Sequence, residues 1–415
     1  MRIRSGTLVA LGIVLLATLL FVGVLAQGQT FSAKGAAEID ALLQHTIQLG
    51  TVPGVVAIVA SKDHILYHHA YGLRDMRGLK AMKEDTIFRI ASMTKPLTSA
   101  AIMQLVEQGK LRLDDPVSKY LPSFANRETI ASFDPSTGAF TTRKAAGEVL
   151  IRHLLSHTSG LAYSFSNTMV APLQQKTGKA PEELPLLYDP GTRWTYSPST
   201  KVLGQVVEKV SGVSLDQYLS ENFFKPLGMD DTSYVVPANK TDRVVTTLNR
   251  GTGVLVETPN PATISSPVAG DGGLNSTATD YVKFLQMMLN NGSWQGKTIL
   301  SKSSVQAMTS NQIGNVVVET QPAALPNLTR PFPVGPAAGR DKFGFGFEIT
   351  ASNKENPNLR SAGSYTWAGI YNTHFWVDPK RGIAGVIMFQ VLPFYDDATM
   401  KIYHDFEETV GRNLH

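Results

Sequence analysis

The 415-residue chain carries 38 Lys and Arg against 34 Asp and Glu, is 43% hydrophobic and has no cysteine. A charge balance this even gives no reason to expect a nucleic-acid or anionic-membrane partner, and the missing thiols exclude a disulfide framework and any thiolate metal site. Stability has to come from a packed core.

At the start, Arg2 and Arg4 precede an uncharged stretch, 7–26, that ends in Val24-Leu25-Ala26. A short basic region, an apolar run and small residues at its end form an export signal, so 1–26 is expected to be a signal peptide. The run is also long enough to span a bilayer, which leaves an uncleaved N-terminal anchor as the alternative. Either way the expected location is outside the cytoplasm, periplasmic or extracellular, and no Cys is present for lipid attachment. Without this segment about 389 residues remain, with 36 basic and 34 acidic side chains, enough for one large domain or two intimately associated ones.

Apolar runs at 55–60 and 65–70, separated by a polar turn at 61–63, predict a β-hairpin. His68 and His69 then face opposite sides of their strand. Thr86-x-Phe88-x-Ile90 alternates as an extended approach to Ser92-Met93-Thr94-Lys95, an S-x-x-K tetrad opening an amphipathic helix. Pro96 suits a first helical turn, the apolar series from Leu97 to Val106 supplies a buried face, and Gly109 stops the helix. Serine and lysine three residues apart share a helical face, so the hydroxyl can meet an amine able to take its proton. At a helix N-terminus free N–H groups favour an oxyanion.

Helical patterns follow at 202–210, 215–224 and 281–289, and a Pro-, Ala- and Val-rich stretch at 311–340 reads as a mobile loop or flap near the sheet edge. Strands are expected at 343–349, 371–377 and 383–390, then a closing helix at 397–414. Strands at both ends with helices between predict an α+β fold, an antiparallel sheet built from both termini with flanking helices and an inserted, mostly helical subdomain.

Five ordered blocks resemble class C β-lactamase-like serine hydrolases over roughly residues 35 to 412. They are 88–122 with the S-x-x-K tetrad, Leu154-Leu155-Ser156-His157-Thr158-Ser159-Gly160-Leu161, the run from Tyr188 through Trp194 to Tyr196-Ser197, Gly272-Gly273-Leu274 with Ser276, Thr277 and Asp280, and 363–379 around Trp367-Ala368-Gly369. The resemblance implies a β-lactamase/transpeptidase-like domain over 34–413, with its sheet part at about 34–100 and 340–413 and its helical part at about 101–339. It also implies Ser92 as nucleophile, Lys95 and Tyr196 as proton-transfer groups, and the N–H groups of Ser92 and Ile370 as the oxyanion hole. Trp367, Ala368 and Gly369 become the substrate-binding strand, with Gly369 letting substrate lie close to the backbone.

Two departures separate this chain from penicillin-recognising enzymes. Pro198 stands where the family usually has Asn, and Trp367 replaces the Lys of a Lys-Thr-Gly strand, as in the Trp-Gly-Gly of family VIII carboxylesterases. Lys176-Thr177-Gly178 precedes Tyr196 and is a decoy. A bulky apolar ring disfavours carboxylate recognition and favours an apolar acyl or alcohol group. The expected function is an exported serine hydrolase cleaving small carboxylic esters through a Ser92 acyl-enzyme, with no metal and no organic cofactor. A β-lactamase or D-amino-acid peptidase of the same fold is one alternative, and a penicillin-binding sensor or scaffold without turnover is another. His153-x-x-x-His157 lacks the Glu of a zinc helix, 343–347 has no phosphate-loop helix after it, and there is no G-x-S-x-G elbow.

Overall fold

The computed structural model describes residues 30–251, 253–333, 338–352, 354 and 356–415. The expected signal or anchor segment at 1–26 lies outside the described residues. Among those described, no helix is long and apolar enough to cross a membrane.

Helix α1, Ala33–Gln48, starts where the Ser32 hydroxyl accepts the Gly35 N–H at 3.0 Å, an N-cap that satisfies one orphan donor of the first turn. The hairpin β1 (Gly54–Ser61) and β2 (Ile65–Asp75) follows, then the short β3 (Lys80–Ala81). The middle of the chain supplies the helices α2 (Thr94–Glu107), α3 (Ser199–Ser211) and α4 (Ala278–Leu289). The last part returns to the sheet through β4 (Lys342–Phe343), β5 (Glu348–Ile349), β6 (Tyr365–Gly369), β7 (Thr373–Asp378) and β8 (Ile383–Met388), and closes with α5 (Asp397–Asn413).

These strands form one antiparallel sheet in the order β4-β5-β6-β7-β8-β1-β2-β3. Strand β1 lies between β8 and β2, with Ile58 opposite both Val386 and His68, so the two ends of the chain are zipped together at the centre of the sheet. Every residue of β1 is buried, because successive side chains enter different cores. Val56, Ile58 and Ala60 pack with Phe375, Val386 and the helical part, whereas Val55, Ala57 and Val59 pack with Ile39 and Leu43 of α1 and with Phe406 and Val410 of α5.

Four expectations are corrected. Helix α2 is buried nearly all round from Thr94 to Met103, with Val106 only half-buried, so its burial is not confined to the one apolar face expected and it is a central helix. The run 343–349 is not one strand but two antiparallel pieces, β4 and β5, because Gly346 adopts φ +94° and the Gly344 N–H bonds back to the Phe347 carbonyl at 2.8 Å. Strand β7 starts at Thr373 and β8 ends at Met388, since Asn372 and Gln390 have positive φ and sit in the adjoining turns. The helix expected at 215–224 stops as α-helix at Leu219 and continues as a π-turn, Ser220–Phe224. The described part of the expected flap runs over the site: Phe332 packs edge-on against Tyr196 at 5.8 Å between ring centres.

Candidate active site

Ser92 lies in the 3-10 turn Ala91–Met93 that leads into α2. Ala91 before it adopts φ 43°, a left-handed conformation that costs a residue with a β-carbon about 1–3 kcal/mol. The surrounding bonds hold that turn. The Ile90 N–H reaches the Leu274 carbonyl at 3.0 Å, and the Tyr281 hydroxyl donates to the Met93 carbonyl at 2.8 Å.

Lys95, on the first turn of α2, is 1% exposed, so its amino group depends on protein partners for the hydrogen bonds that water would otherwise make. Its Nζ donates to Ser92 Oγ at 3.1 Å and to the Asp271 carbonyl at 2.8 Å, and it lies 4.9 Å and 5.3 Å from the ring centres of Tyr196 and Tyr163. Both contacts are cation–π in kind. Tyr196 reaches Ser92 from just before α3, with its hydroxyl 2.6 Å from Oγ, and its own N–H is fixed by Gln321 Oε1 at 3.3 Å. The structure thus brings Ser92, Lys95 and Tyr196 within hydrogen-bond reach of one oxygen.

A second layer fixes these groups. His157 Nδ1 pairs with Ser197 Oγ at 2.9 Å, and Ser197, Ser199 and Ser159 continue the chain at 2.8 Å and 2.7 Å. The His157 ring packs on Tyr196 and Trp367, and burial together with the Lys95 charge pushes the imidazole well below its usual value, so it stays neutral. His153 instead accepts the Leu150 N–H through Nδ1, so the two histidines serve different partners. The Tyr163 hydroxyl donates to the Asp271 carboxylate, and burial with that carboxylate raises the phenol well above its ordinary range.

The other wall is the end of β6. Ser92, Tyr196, Trp367, Ala368 and Ile370 line one cavity of about 270 Å³, with Phe165, Trp194 and Phe332 around the nucleophile. Gly369 is not on this lining. A β-carbon there would collide with the Ile90 carbonyl oxygen and the Thr373 hydroxyl, so the glycine lets β6 approach the nucleophile's own loop and does not make room for substrate. Trp367 is 8% exposed, and among the described residues its indole N–H has no hydrogen-bond partner. Lys176-Thr177-Gly178 closes a separate short helix, Val170–Thr177, away from the lining, and Pro198 caps α3.

Sequence reasoning missed Tyr163, Asp271 and the aromatic rim of Phe165 and Phe332. Two of these had a weak signal: Asp271 abuts the Gly272-Gly273 block, and Tyr163 lies two residues beyond the block ending at Leu161.

With this geometry in hand, the chain was compared with known proteins. The family model described as Beta-lactamase matches residues 39–409. Protein Rv1367c of Mycobacterium tuberculosis is 33% identical over 85% of this chain and 90% of its own length. Esterase EstB of Burkholderia gladioli is 29% identical over 86% of this chain and 91% of its length. The solved LovD6 mutant of simvastatin synthase from Aspergillus terreus superposes with a TM-score of 0.77 at 26% identity, covering 92% of this chain and 95% of that one. A family match of this extent, on a fold that gathers the ordered sequence blocks around one cavity, makes this chain a member of the beta-lactamase family.

Proposed function

We propose that the protein is a serine hydrolase that cleaves small carboxylic esters through an acyl-enzyme on Ser92. The observation that carries this reading is the placing of Ser92 Oγ 3.1 Å from an amine and 2.6 Å from a phenol, at one end of an aromatic cavity. Ser92 Oγ attacks the ester carbonyl carbon, and its proton passes to Tyr196 or Lys95, whichever is deprotonated. The acyl–oxygen bond breaks, the alcohol leaves with that proton, and water then releases the acid. The N–H groups of Ser92 and Ile370 take the role of oxyanion donors.

Trp367 supports the ester reading over β-lactam or D-amino-acid peptide substrates, since it offers an apolar face and no cation to a substrate carboxylate. EstB is named an esterase, and simvastatin synthase is named for a synthetic reaction. The aromatic rim around Ser92 supports a second reading for the acyl-enzyme, transfer of its acyl group to an alcohol in place of water. The basic and apolar pattern of 1–26 supports the proposal of export, as a cleaved signal or an N-terminal anchor.

The test is hydrolysis of p-nitrophenyl acetate and butyrate beside a chromogenic cephalosporin, with Ser92→Ala as control. Ester turnover lost in Ser92→Ala, with little cephalosporin cleavage, is expected. Cephalosporin as the better substrate, or a stable acyl adduct without turnover, would sink the ester reading. Added butanol appearing as butyl ester marks the transferase branch.

A further inference from the structure

The cavity that begins at Ser92 does not end at its aromatic rim. Trp367 and Ala368 are successive residues of β6 and point to opposite faces of the sheet, yet both line it. Strand β5 pairs only with Tyr365 and Thr366, so among the described residues the edge at Trp367–Gly369 carries no strand. The void passes round this open edge to the side of the sheet covered by α5, where its chemistry changes.

There the lining holds three carboxyl groups, Asp341, Glu348 and Glu407, and one guanidinium, Arg360. Glu407 Oε1 accepts the Arg360 backbone N–H at 2.8 Å and Nε at 3.0 Å. Its other oxygen, Oε2, has no hydrogen-bond partner among the described residues although the residue is 2% exposed. Asp341 Oδ1 accepts the Ala351 N–H at 3.0 Å, and Arg340 acts on Asp341 from outside the lining. The two histidines on the wall do not offset the carboxylates, because burial holds His374 down to about 3 and lowers His404 too. Burial, and after it the Asp341 charge, push Glu348 up to about 8, so it carries a proton near neutrality and adds no negative charge there. A buried carboxylate oxygen without a donor has lost its hydration uncompensated, a loss that a donor on a bound molecule would recover.

We propose that this inner chamber is a subsite for a protonated primary amine, so that the preferred ester carries an ammonium group at the end of an apolar chain running from the reacting carbonyl around the β6 edge. The proposal rests on the Ser92 reading for the position of the ester. With Glu348 protonated, the Asp341 and Glu407 carboxylates still outnumber the Arg360 guanidinium on the lining by one, so a cation answers that charge as well as the vacant acceptor, which a hydroxyl does not.

The experiment compares kcat/KM for p-nitrophenyl hexanoate with its 6-amino analogue, and for hexyl butyrate with 6-aminohexyl butyrate, so that either side of the ester can enter the chamber. At neutral pH one amine substrate is expected to exceed its alkyl counterpart by about tenfold or more. Hexylammonium should raise the melting temperature, which hexan-1-ol at equal concentration should not do. In Glu407→Gln the preference should fall to within about twofold; if that variant fails to fold, the wild-type melting shift decides. Amine substrates no better than alkyl ones, or 6-hydroxy esters better than both, would overturn the cation subsite. If no ester, acetate included, is turned over, the Ser92 reading fails and the melting shift alone judges the chamber.

Discussion

At the scale of single residues the site works through one oxygen with two potential proton carriers. Removing the phenol hydroxyl in Tyr196→Phe leaves the ring packing against His157, Trp367 and Phe332 intact but takes away the group 2.6 Å from Ser92 Oγ. The kcat/KM for p-nitrophenyl butyrate is expected to fall by about 10²–10⁴, the usual range for a positioned acid or base, with little change in melting temperature. A loss smaller than fivefold would assign proton transfer to Lys95 alone. Tyr163 differs, because its hydroxyl reaches the Asp271 carboxylate and not the nucleophile. Tyr163→Phe strands a carboxylate on the residue whose carbonyl holds Lys95. We expect about a tenfold lower kcat, a KM within a factor of two and an altered pH profile of kcat, since a positioning residue acts through the lysine. The short-range part of this site, Ser92 and Lys95 on one helical turn, was legible in the sequence, and Tyr196, 104 residues on, was reached only through the family resemblance of its block. Asp271 and Tyr163 were not, because Asp271 meets Lys95 across 176 residues and Tyr163 across 108, contacts set by tertiary packing that no spacing in the chain encodes.

Among the elements, the end of β6 is where packing and chemistry are most tightly joined. In Gly369→Ala the new methyl meets the Ile90 carbonyl and the Thr373 hydroxyl, so strand and nucleophile loop must separate. The N–H of Ile370 moves with the strand, and kcat is expected to drop by about 10²–10³, as for loss of one oxyanion donor. A circular dichroism melt alongside separates this from unfolding. Strand β5 makes a second prediction. Glu348 is neutral in the folded protein up to about pH 8, whereas in the unfolded chain it ionises near its ordinary 4.5. Between these values the native state holds the extra proton, so its contribution to stability is fully present below about 4.5 and is lost as pH rises toward 8. Urea unfolding at about pH 5 and pH 8 should show the wild type losing stability relative to Glu348→Gln over that interval; parallel changes would mean that the proton sits on Asp341. The strands themselves were partly legible. The continuous apolar run of β1 marks a strand buried on both faces, but 343–349 also read as continuous until Gly346 bent it into the β4–β5 hairpin.

For the whole molecule, the division of the sheet into two faces separates what stability needs from what the reaction needs. The face toward α2, α3 and α4 carries the nucleophile turn and Tyr196, whereas Ile39 and Leu43 of α1 fill the opposite core with Val55, Ala57, Val59 and Phe406. Leu43 is fully buried and lines neither the cavity nor its inner chamber. Truncating it in Leu43→Ala removes methyl groups from a close-packed layer, at a cost of about 2–5 kcal/mol according to how far the neighbours collapse. The site is assembled from residues 92, 196, 271 and 370, which meet only when the sheet and the helical part are both folded, so activity reports on the whole chain. Well below the transition, kcat/KM for p-nitrophenyl acetate should match the wild type, and on heating, activity and tryptophan fluorescence should be lost together at a lower temperature. Reduced kcat/KM in the fully folded variant would show that the α1 face is coupled to the nucleophile turn through β1. Loss of activity ahead of the fluorescence change would show instead that the site comes apart before the sheet does.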